Sequence, residues 1–177
     1  MLTLKGEKVY LRALEPEDLD FVHELENTED FWEVSATRVP YSRFMIKKYL
    51  ENAHRDIYDY KQLRLVICNN EDKNIGLIDI FDLEPRDRRA ALGILISETG
   101  ERRKGYGAES LSLICNYCFK HLALHQVYAN VTEGNLASIK LFEGQDFRKA
   151  GIKKEWNFLN GSFKDEILYQ LINNDVH

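Results

Sequence analysis

The spacing of apolar residues alternates between a period of two and a helical period, and these changes predict the order of strands and helices. Alternation in Lys8–Arg12 predicts a first strand, and Pro16 with the acids around it predicts the first turn of a helix. A second helix is predicted over Tyr41–Tyr58, with Phe44 and Ile46 in its apolar stripe. An irregular loop therefore separates two N-terminal helices.

Apolar spacing and turn residues also predict the elements in the rest of the chain. Asn160-Gly161 is a strong turn signal for a final hairpin. The predicted elements are a hairpin of Leu63–Cys68 and Ile75–Phe81, a central strand Ala91–Ile96, a helix over Ala108–Leu122, a strand Val127–Val131, a helix Asn135–Phe142, and the final strands Trp156–Leu159 and Ile167–Leu171. This order favours an α+β, or mixed α/β, plan around one twisted sheet. A length of 177 residues predicts a single domain over 1–177.

Composition narrows the class of protein. The formal charge of −5 argues against a nucleic-acid partner held by net charge. No run approaches the ~18 apolar residues of a membrane span, and the start lacks a signal-peptide core. Three cysteines form no even disulfide framework. We therefore expect a cytoplasmic protein with no membrane partner and with reduced thiols.

The segment Arg102-Arg103-Lys104-Gly105-Tyr106-Gly107 carries the clearest chemistry. It places cations and two glycines between a buried strand and the first turn of a helix, where unpaired N–H groups favour an anion such as a diphosphate. The P-loop pattern is absent, and a dinucleotide fingerprint would need glycine where Ser110 stands. The alternative is a solvated basic loop.

This segment resembles the Arg/Gln-x-x-Gly-x-Gly/Ala signature of the GNAT superfamily of N-acetyltransferases. The resemblance extends to the opening Leu11–Leu19, to Asn135–Phe142 followed by Phe147, and to the Asn-Gly hairpin. The layout is similar to the branch that contains ribosomal-protein N-terminal acetyltransferases and spermidine acetyltransferases.

The resemblance implies a GNAT-like domain: a central twisted, mostly antiparallel sheet flanked by helices, with splayed central strands that form the acyl-CoA cleft. It implies acetyl-CoA as co-substrate and direct transfer to a primary amine, which would be a polyamine, another small amine or a protein N-terminus. A homodimer is common among such relatives. The implied cofactor-binding residues are Ile94, Leu95, Ile96, Arg102, Arg103, Lys104, Gly105, Tyr106, Gly107, Ala108, Asn135 and Ser138.

The proton-handling residues depart from the family pattern. Phe142 stands where many members have a tyrosine acid, and Ala91 stands where this branch often has a glutamate base. A lysine-like amine needs a base, because exposing its neutral form at pH 7 costs about 4–5 kcal/mol. We favour Asp82 and Glu33 over Asp79 and Glu84 as substitutes, and Ser138 as a hydrogen-bond partner of the departing sulfur. An exposed carboxylate without catalytic duty is the alternative for each acid.

Two other classes stay open. Loss of both usual proton-handling residues is compatible with a non-catalytic acyl-CoA-binding sensor or regulatory module. Helical spacing also puts Cys115, Cys118, His121 and His125 on one face, as a metal site would require. The cysteines fall on the apolar stripe, however, so we expect no metal. Phe31 and Trp32 would either stack on substrate or plug the core.

The charge is unevenly distributed. Residues 1–33 hold ten acids and three bases, so the remainder of the chain is slightly basic. This division suits an anionic cofactor at one place and a cationic amine at another.

Overall fold

The computed structural model describes residues 4–32, 37–97 and 104–174. The strands are β1 Val9–Ala13, β2 Leu63–Asn69, β3 Asn74–Glu84, β4 Arg89–Ile96, β5 Gln126–Thr132, β6 Arg148–Leu159 and β7 Ser162–Ile172. The helices are α1 Leu19–Glu26, α2 Arg43–Glu51, α3 Ile57–Tyr60, α4 Tyr106–Lys120 and α5 Leu136–Gly144, with short 3₁₀ turns at Pro16–Asp18 and Glu29–Phe31. The seven strands form one sheet in the order β1-β2-β3-β4-β5-β7-β6.

The pairing of β4 with β5 positions the site. It is parallel, whereas the other neighbouring strands pair antiparallel. It is also short, running only from Arg89↔Gln126 to Ala91↔Tyr128, although β4 continues to Ile96 and β5 to Thr132. The two strands therefore diverge after Ala91, which confirms the predicted splay. We call this divergence the β4–β5 opening.

Each face of the sheet packs against different helices. On the α4 face, Ala90, Leu92, Val127 and Ala129 join one core cluster with α4 residues such as Ile114. On the α1–α2 face, a second cluster combines side chains from both helices with three strands; its members include Val22, Leu25, Ile46, Val66, Leu77 and Leu95. Successive strand residues point to opposite faces, so this division assigns a direction to every side chain near the opening.

The predicted helix over Tyr41–Tyr58 is wrong in its extent. The structure has α2 and the separate four-residue α3 instead, because local side chains cap both helices. Ser42 Oγ accepts a hydrogen bond from the Met45 N–H at 3.2 Å, and Asp56 Oδ1 accepts one from the Tyr58 N–H at 2.7 Å. Phe44 is 62% exposed, so it does not belong to the buried stripe; Ile46 does.

The C-terminal hairpin is longer than predicted. Strand β6 begins at Arg148, eight residues before the predicted Trp156. The prediction missed this part because β6 is an edge strand, and its lysines and bulges hide the alternation of apolar and polar residues. The turn itself agrees with expectation: Asn160 and Gly161 both adopt positive φ, 49° and 79°.

Candidate active site

The edge of β4 that faces the opening carries Ile94, Leu95 and Ile96. Leu95 is buried on the α1–α2 face, and Ile94 and Ile96 pack on the α4 face, so side chains hold the strand from both sides. Ser97 fixes its end, because its N–H and Oγ both donate to the Ile75 carbonyl at 2.7 and 2.9 Å. Beyond Ala91 no strand pairs with this edge among the residues described. It can therefore receive an extended ligand through backbone hydrogen bonds.

The first turn of α4 lies close to α5. Gly105 caps α4 with φ 81°, a left-handed conformation that favours glycine. A Cβ on Gly107 would lie 3.6 Å from both methyl groups of Leu141 in α5. The N–H groups of Tyr106, Gly107 and Ala108 have no acceptor within the helix, because the first intrahelical bond runs from the Glu109 N–H to the Gly105 carbonyl at 3.1 Å. Such N–H groups favour an anion. Arg102 and Arg103, which were also predicted to hold the anion, lie outside the described residues.

Glu109 is a residue of this region that sequence analysis missed. Its carboxylate accepts three backbone N–H bonds from the start of β1, from Glu7, Lys8 and Val9 at 3.0, 2.8 and 2.7 Å. Lys8 Nζ in turn donates to the Lys104 carbonyl at 3.3 Å. These contacts tie the N-terminal segment to the start of α4. The one sequence signal was an acid in the first turn of a helix, which is too common to indicate this contact.

Asn135 and Ser138 lie after the carboxyl end of β5, on the other side of the opening from β4. Asn135 Oδ1 accepts a hydrogen bond from the Ser138 N–H at 3.2 Å and caps α5. This is the capping role its residue type favours. Both side chains are half-buried.

Among the four candidate bases, Asp79 is already engaged. Arg64 donates to it through Nε at 2.6 Å and Nη2 at 2.9 Å, and Arg64 Nη1 also donates to Glu26 of α1. The Arg64, Glu26 and Asp79 side chains are only 15%, 9% and 18% exposed. Burial alone would lower the pKa of the guanidinium, but the two carboxylates outweigh it and hold that pKa above its usual value. This trio joins α1 to the sheet, and both oxygens of Asp79 accept hydrogen bonds from Arg64.

Asp82 is placed differently. It lies in a bulge between Phe81 and Glu84, has φ 47°, and its side chain is exposed. Glu84 lies 3.8 Å from Lys61 Nζ, while Glu33 lies outside the described residues. Asp82 is therefore the described candidate that keeps an accessible carboxylate near the β4–β5 opening.

The two aromatic residues that could stack on substrate, Phe31 and Trp32, both contact other parts of the protein. Phe31 is 5% exposed within the α1–α2 cluster. The Trp32 indole N–H donates to the Glu26 carbonyl at 3.1 Å. Phe142 is likewise buried and meets Phe147 edge to face at 5.1 Å, so this position of α5 offers no proton donor.

The alternative metal site has no support in the geometry. Cys115 and Cys118 point into the core, where burial raises the pKa of the Cys115 thiol to about 12 and also raises that of Cys118. His121 and His125 are exposed, and His121 stacks on Tyr117. Across residues 4–32, 37–97 and 104–174, no three His, Cys, Asp or Glu side chains are grouped as a metal would need.

Comparisons with known proteins point to one activity. A family model described as an acetyltransferase (GNAT) domain matches residues 8–148. The spermidine N(1)-acetyltransferase of Vibrio cholerae is 30% identical over 158 residues, which cover 88% of this chain and 87% of that protein. A crystal structure of spermidine N-acetyltransferase from Vibrio cholerae in complex with CoA and spermine has a TM-score of 0.84 at 27% identity, covering 94% of this chain and 96% of that one.

A further structure concerns assembly. It is a dodecameric structure of spermidine N-acetyltransferase from Vibrio cholerae, with a TM-score of 0.78, 27% identity, and coverage of 94% of this chain and 95% of that one. None of these comparisons supports a non-catalytic acyl-CoA-binding module. None of the helices in the described part of the chain is long and apolar enough to span a membrane.

Proposed function

The chain belongs to the GNAT acetyltransferase family and transfers an acetyl group from acetyl-CoA to an amine, and we propose that this amine is a polyamine. The observation that carries the proposal is a group of exposed carboxylates around α1. Glu17, Glu24, Glu29 and Asp30 are exposed, and none of them has an ion-pair partner among the residues described. A ligand with several ammonium groups complements such a surface.

Three other acids of this region are paired with arginines. Asp18 binds Arg12 at 2.8 Å, Asp20 binds Arg43 at 2.6 Å, and Glu26 binds Arg64. Hydrogen bonds from Arg12 and from the Glu15 N–H hold the Asp18 pKa below its usual value although burial raises it. The excess negative charge of the N-terminal region is thus concentrated on its exposed carboxylates.

We assign the two ends of the reaction to the two sides of the β4–β5 opening. Backbone groups of Ile94–Ile96 and the first turn of α4, with Arg102, Arg103 and Lys104, hold acetyl-CoA; Asn135 and Ser138 line its channel. Asp82, with Glu33 as the other candidate, accepts the proton that the ammonium must lose, directly or through water. The neutral amine attacks the thioester carbonyl and the carbon–sulfur bond breaks. The nitrogen then passes its second proton to the departing sulfur, which Ser138 hydrogen-bonds.

Two further properties belong to this proposal. The β6–β7 hairpin exposes Trp156, Phe158 and Phe163 by 59%, 63% and 60%, which supports assembly of two or more copies through this surface. Sedimentation equilibrium that finds only a 20.7 kDa species would contradict it. Three buried cysteines without disulfides support a place in the cytoplasm.

The decisive experiment is thiol release from acetyl-CoA with spermidine, spermine, n-butylamine and an N-terminal peptide as acceptors. We expect the polyamines to have at least about tenfold higher kcat/KM than n-butylamine, equivalent to about 1.4 kcal/mol of charge recognition. That preference should shrink with added salt, because exposed charges are screened. Equal turnover of n-butylamine, or turnover of the peptide alone, would contradict the polyamine assignment.

A further inference from the structure

Gly93 lacks a side chain on the α1–α2 face of the sheet, close to the point where β4 and β5 separate. We call the space that it leaves the Gly93 hollow; Ala91 lies two residues before Gly93 on the same face, with Phe81 and Tyr128 on the two neighbouring strands. Strand register places these residues together: Phe81 is opposite Ala91 across β3 and β4, and Ala91 is opposite Tyr128 across β4 and β5. A Cβ on Gly93 would lie 3.4 Å from Phe81 Cε1, so the ring borders the space that glycine leaves.

The direction of Tyr128 follows from its neighbours. Val127 and Ala129 belong to the core on the α4 face, so Tyr128 points to the opposite face, as Ala91 does. The α1–α2 core reaches along the sheet to Leu77 and Leu95 but includes neither Phe81 nor Tyr128. Phe81, Gly93 and Tyr128 are all half-buried. These three residues are therefore partly accessible to solvent, whereas Ala91 is fully buried.

The position of the hollow matches that of the reaction. Ala91 and Tyr128 form the last pair before the strands diverge, and Gly93 precedes the Ile94–Ile96 edge assigned to acetyl-CoA. A ligand over Gly93 thus lies beside the opening from the face opposite α4. Ala91 supplies no carboxylate there, so recognition of an amine depends on the side chains around it.

Those side chains suit a cation. The faces of two aromatic rings attract an ammonium group, most strongly where water is partly excluded. Asp82 follows Phe81 directly, and its charge reaches Tyr128: burial and Asp82 raise the pKa of the phenol, while Arg89 lowers it, the net shift being upward. The phenol stays neutral, so it does not add a charge that would bind the amine too tightly for release. The cations of this face have carboxylate partners: Arg89 binds Asp87 at 2.6 Å, and Arg64 binds Asp79 and Glu26.

We propose that Phe81 and Tyr128 form an aromatic clamp that holds the reacting ammonium group of the acceptor above Gly93. This inference deepens the proposed function, since it rests on a cationic amine as acceptor and names the side chains that meet its reacting end. In this proposal Phe81 and Tyr128 bind the amine, and neither residue donates or accepts a proton in the reaction.

The test is a series of ring-removing and ring-keeping variants. In Tyr128→Leu and Phe81→Leu we expect the acceptor KM to rise roughly 3- to 30-fold, the range of a partly desolvated cation–π contact. The KM for acetyl-CoA should not change. Tyr128→Phe keeps the ring and should stay within about twofold of the parent enzyme. Tyr58→Leu removes a half-exposed tyrosine of α3 and serves as the matched control; it should leave both KM values unchanged.

The kinetic pattern separates a clamp from a structural role. A misfolded variant would lose acetyl-CoA binding as well, which thermal unfolding and titration with acetyl-CoA detect. An unchanged acceptor KM in Tyr128→Leu, a fall in kcat alone, or an equal loss in Tyr128→Phe would overturn the clamp.

The assay also keeps the two proposals apart. If the panel finds a primary amine other than a polyamine to be the preferred acceptor, the variants are measured with that amine. A raised KM for it in Tyr128→Leu then supports the clamp while the polyamine assignment fails. Conversely, polyamine turnover with normal KM in both leucine variants overturns the clamp alone.

Discussion

The cofactor side and the acceptor side that we propose for the β4–β5 opening offer different chemical groups. On the proposed cofactor side, the strand edge at Ile94–Ile96 and the glycine-containing turn of α4 offer mainly backbone groups. On the proposed acceptor side, the α1–α2 face of the sheet offers side chains from different strands, with Phe81 on β3 and Tyr128 on β5.

This difference explains why one ligand was predictable and the other was not. Backbone recognition needs glycines at fixed spacing next to a helix start, and this leaves a short sequence signature. Recognition by side chains needs residues that are distant in sequence to meet across strands. The ligand that such a site prefers changes when one of these side chains is substituted. Ala91 shows this, because the family pattern on the cofactor side is retained while the acceptor side departs from it. One fold can therefore keep acetyl-CoA and vary the amine.

Gly107→Val alters the cofactor side, and we expect its effect on acetyl-CoA affinity to be the largest of the effects predicted here. Its γ-methyl groups extend beyond a Cβ position that already contacts both Leu141 methyls at 3.6 Å, so they crowd either Leu141 or the anion at the first turn of α4. Loss of two charge-assisted hydrogen bonds to a diphosphate should lower acetyl-CoA affinity about 1,000-fold or more.

Calorimetric titration with acetyl-CoA measures this affinity. Gly107→Ala is the matched control, since a single Cβ makes an ordinary contact with Leu141 and should cost far less. Unchanged affinity in the valine variant would remove the first turn of α4 from the cofactor site.

Asp82→Asn removes the proposed proton acceptor on the acceptor side. If Asp82 accepts the amine proton, kcat/KM should fall by about 100-fold while acetyl-CoA affinity stays constant. Asparagine tolerates the left-handed φ of 47°, so the bulge should survive. Asp146→Asn is the control, because Asp146 also has positive φ, 64°. Steady-state kinetics that give Asp82→Asn the activity of the control would reassign the base.

Arg64→Met tests whether the charged trio on the acceptor side also contributes to the stability of the fold. It leaves the buried Glu26 and Asp79 carboxylates unpaired and should lower the free energy of unfolding by about 3 kcal/mol. Arg43→Met breaks an exposed pair, with side chains 58% and 80% exposed, and should cost at most about 0.5 kcal/mol.

Denaturant unfolding measures both variants. Adding Glu26→Gln and Asp79→Asn to Arg64→Met should restore much of the loss, because no buried charge then remains unpaired. Equal stability of Arg64→Met and Arg43→Met would show that the trio contributes no more than a surface pair.

Local signals determined most of the secondary structure and led to the cofactor side that we propose. Alternation and buried runs placed β4 and β5, Asn160-Gly161 placed the last turn, and Asn135 marked the start of α5. The resemblance then assigned Gly105 and Gly107 to acetyl-CoA. Local signals failed for α2 and α3, where the apolar spacing continues but α2 ends at Glu51 and the Asp56 cap begins a new helix.

Only the tertiary structure decided the contacts between distant parts of the chain. Glu109 accepts a hydrogen bond from the N–H of Val9, 100 positions away, and Arg64 joins Glu26 to Asp79 across 38 and 15 positions. The Gly93 hollow likewise depends on the register of three strands. Sequence patterns report the environment of neighbours within one element, whereas the register and splay of the sheet decide which side chains face the amine.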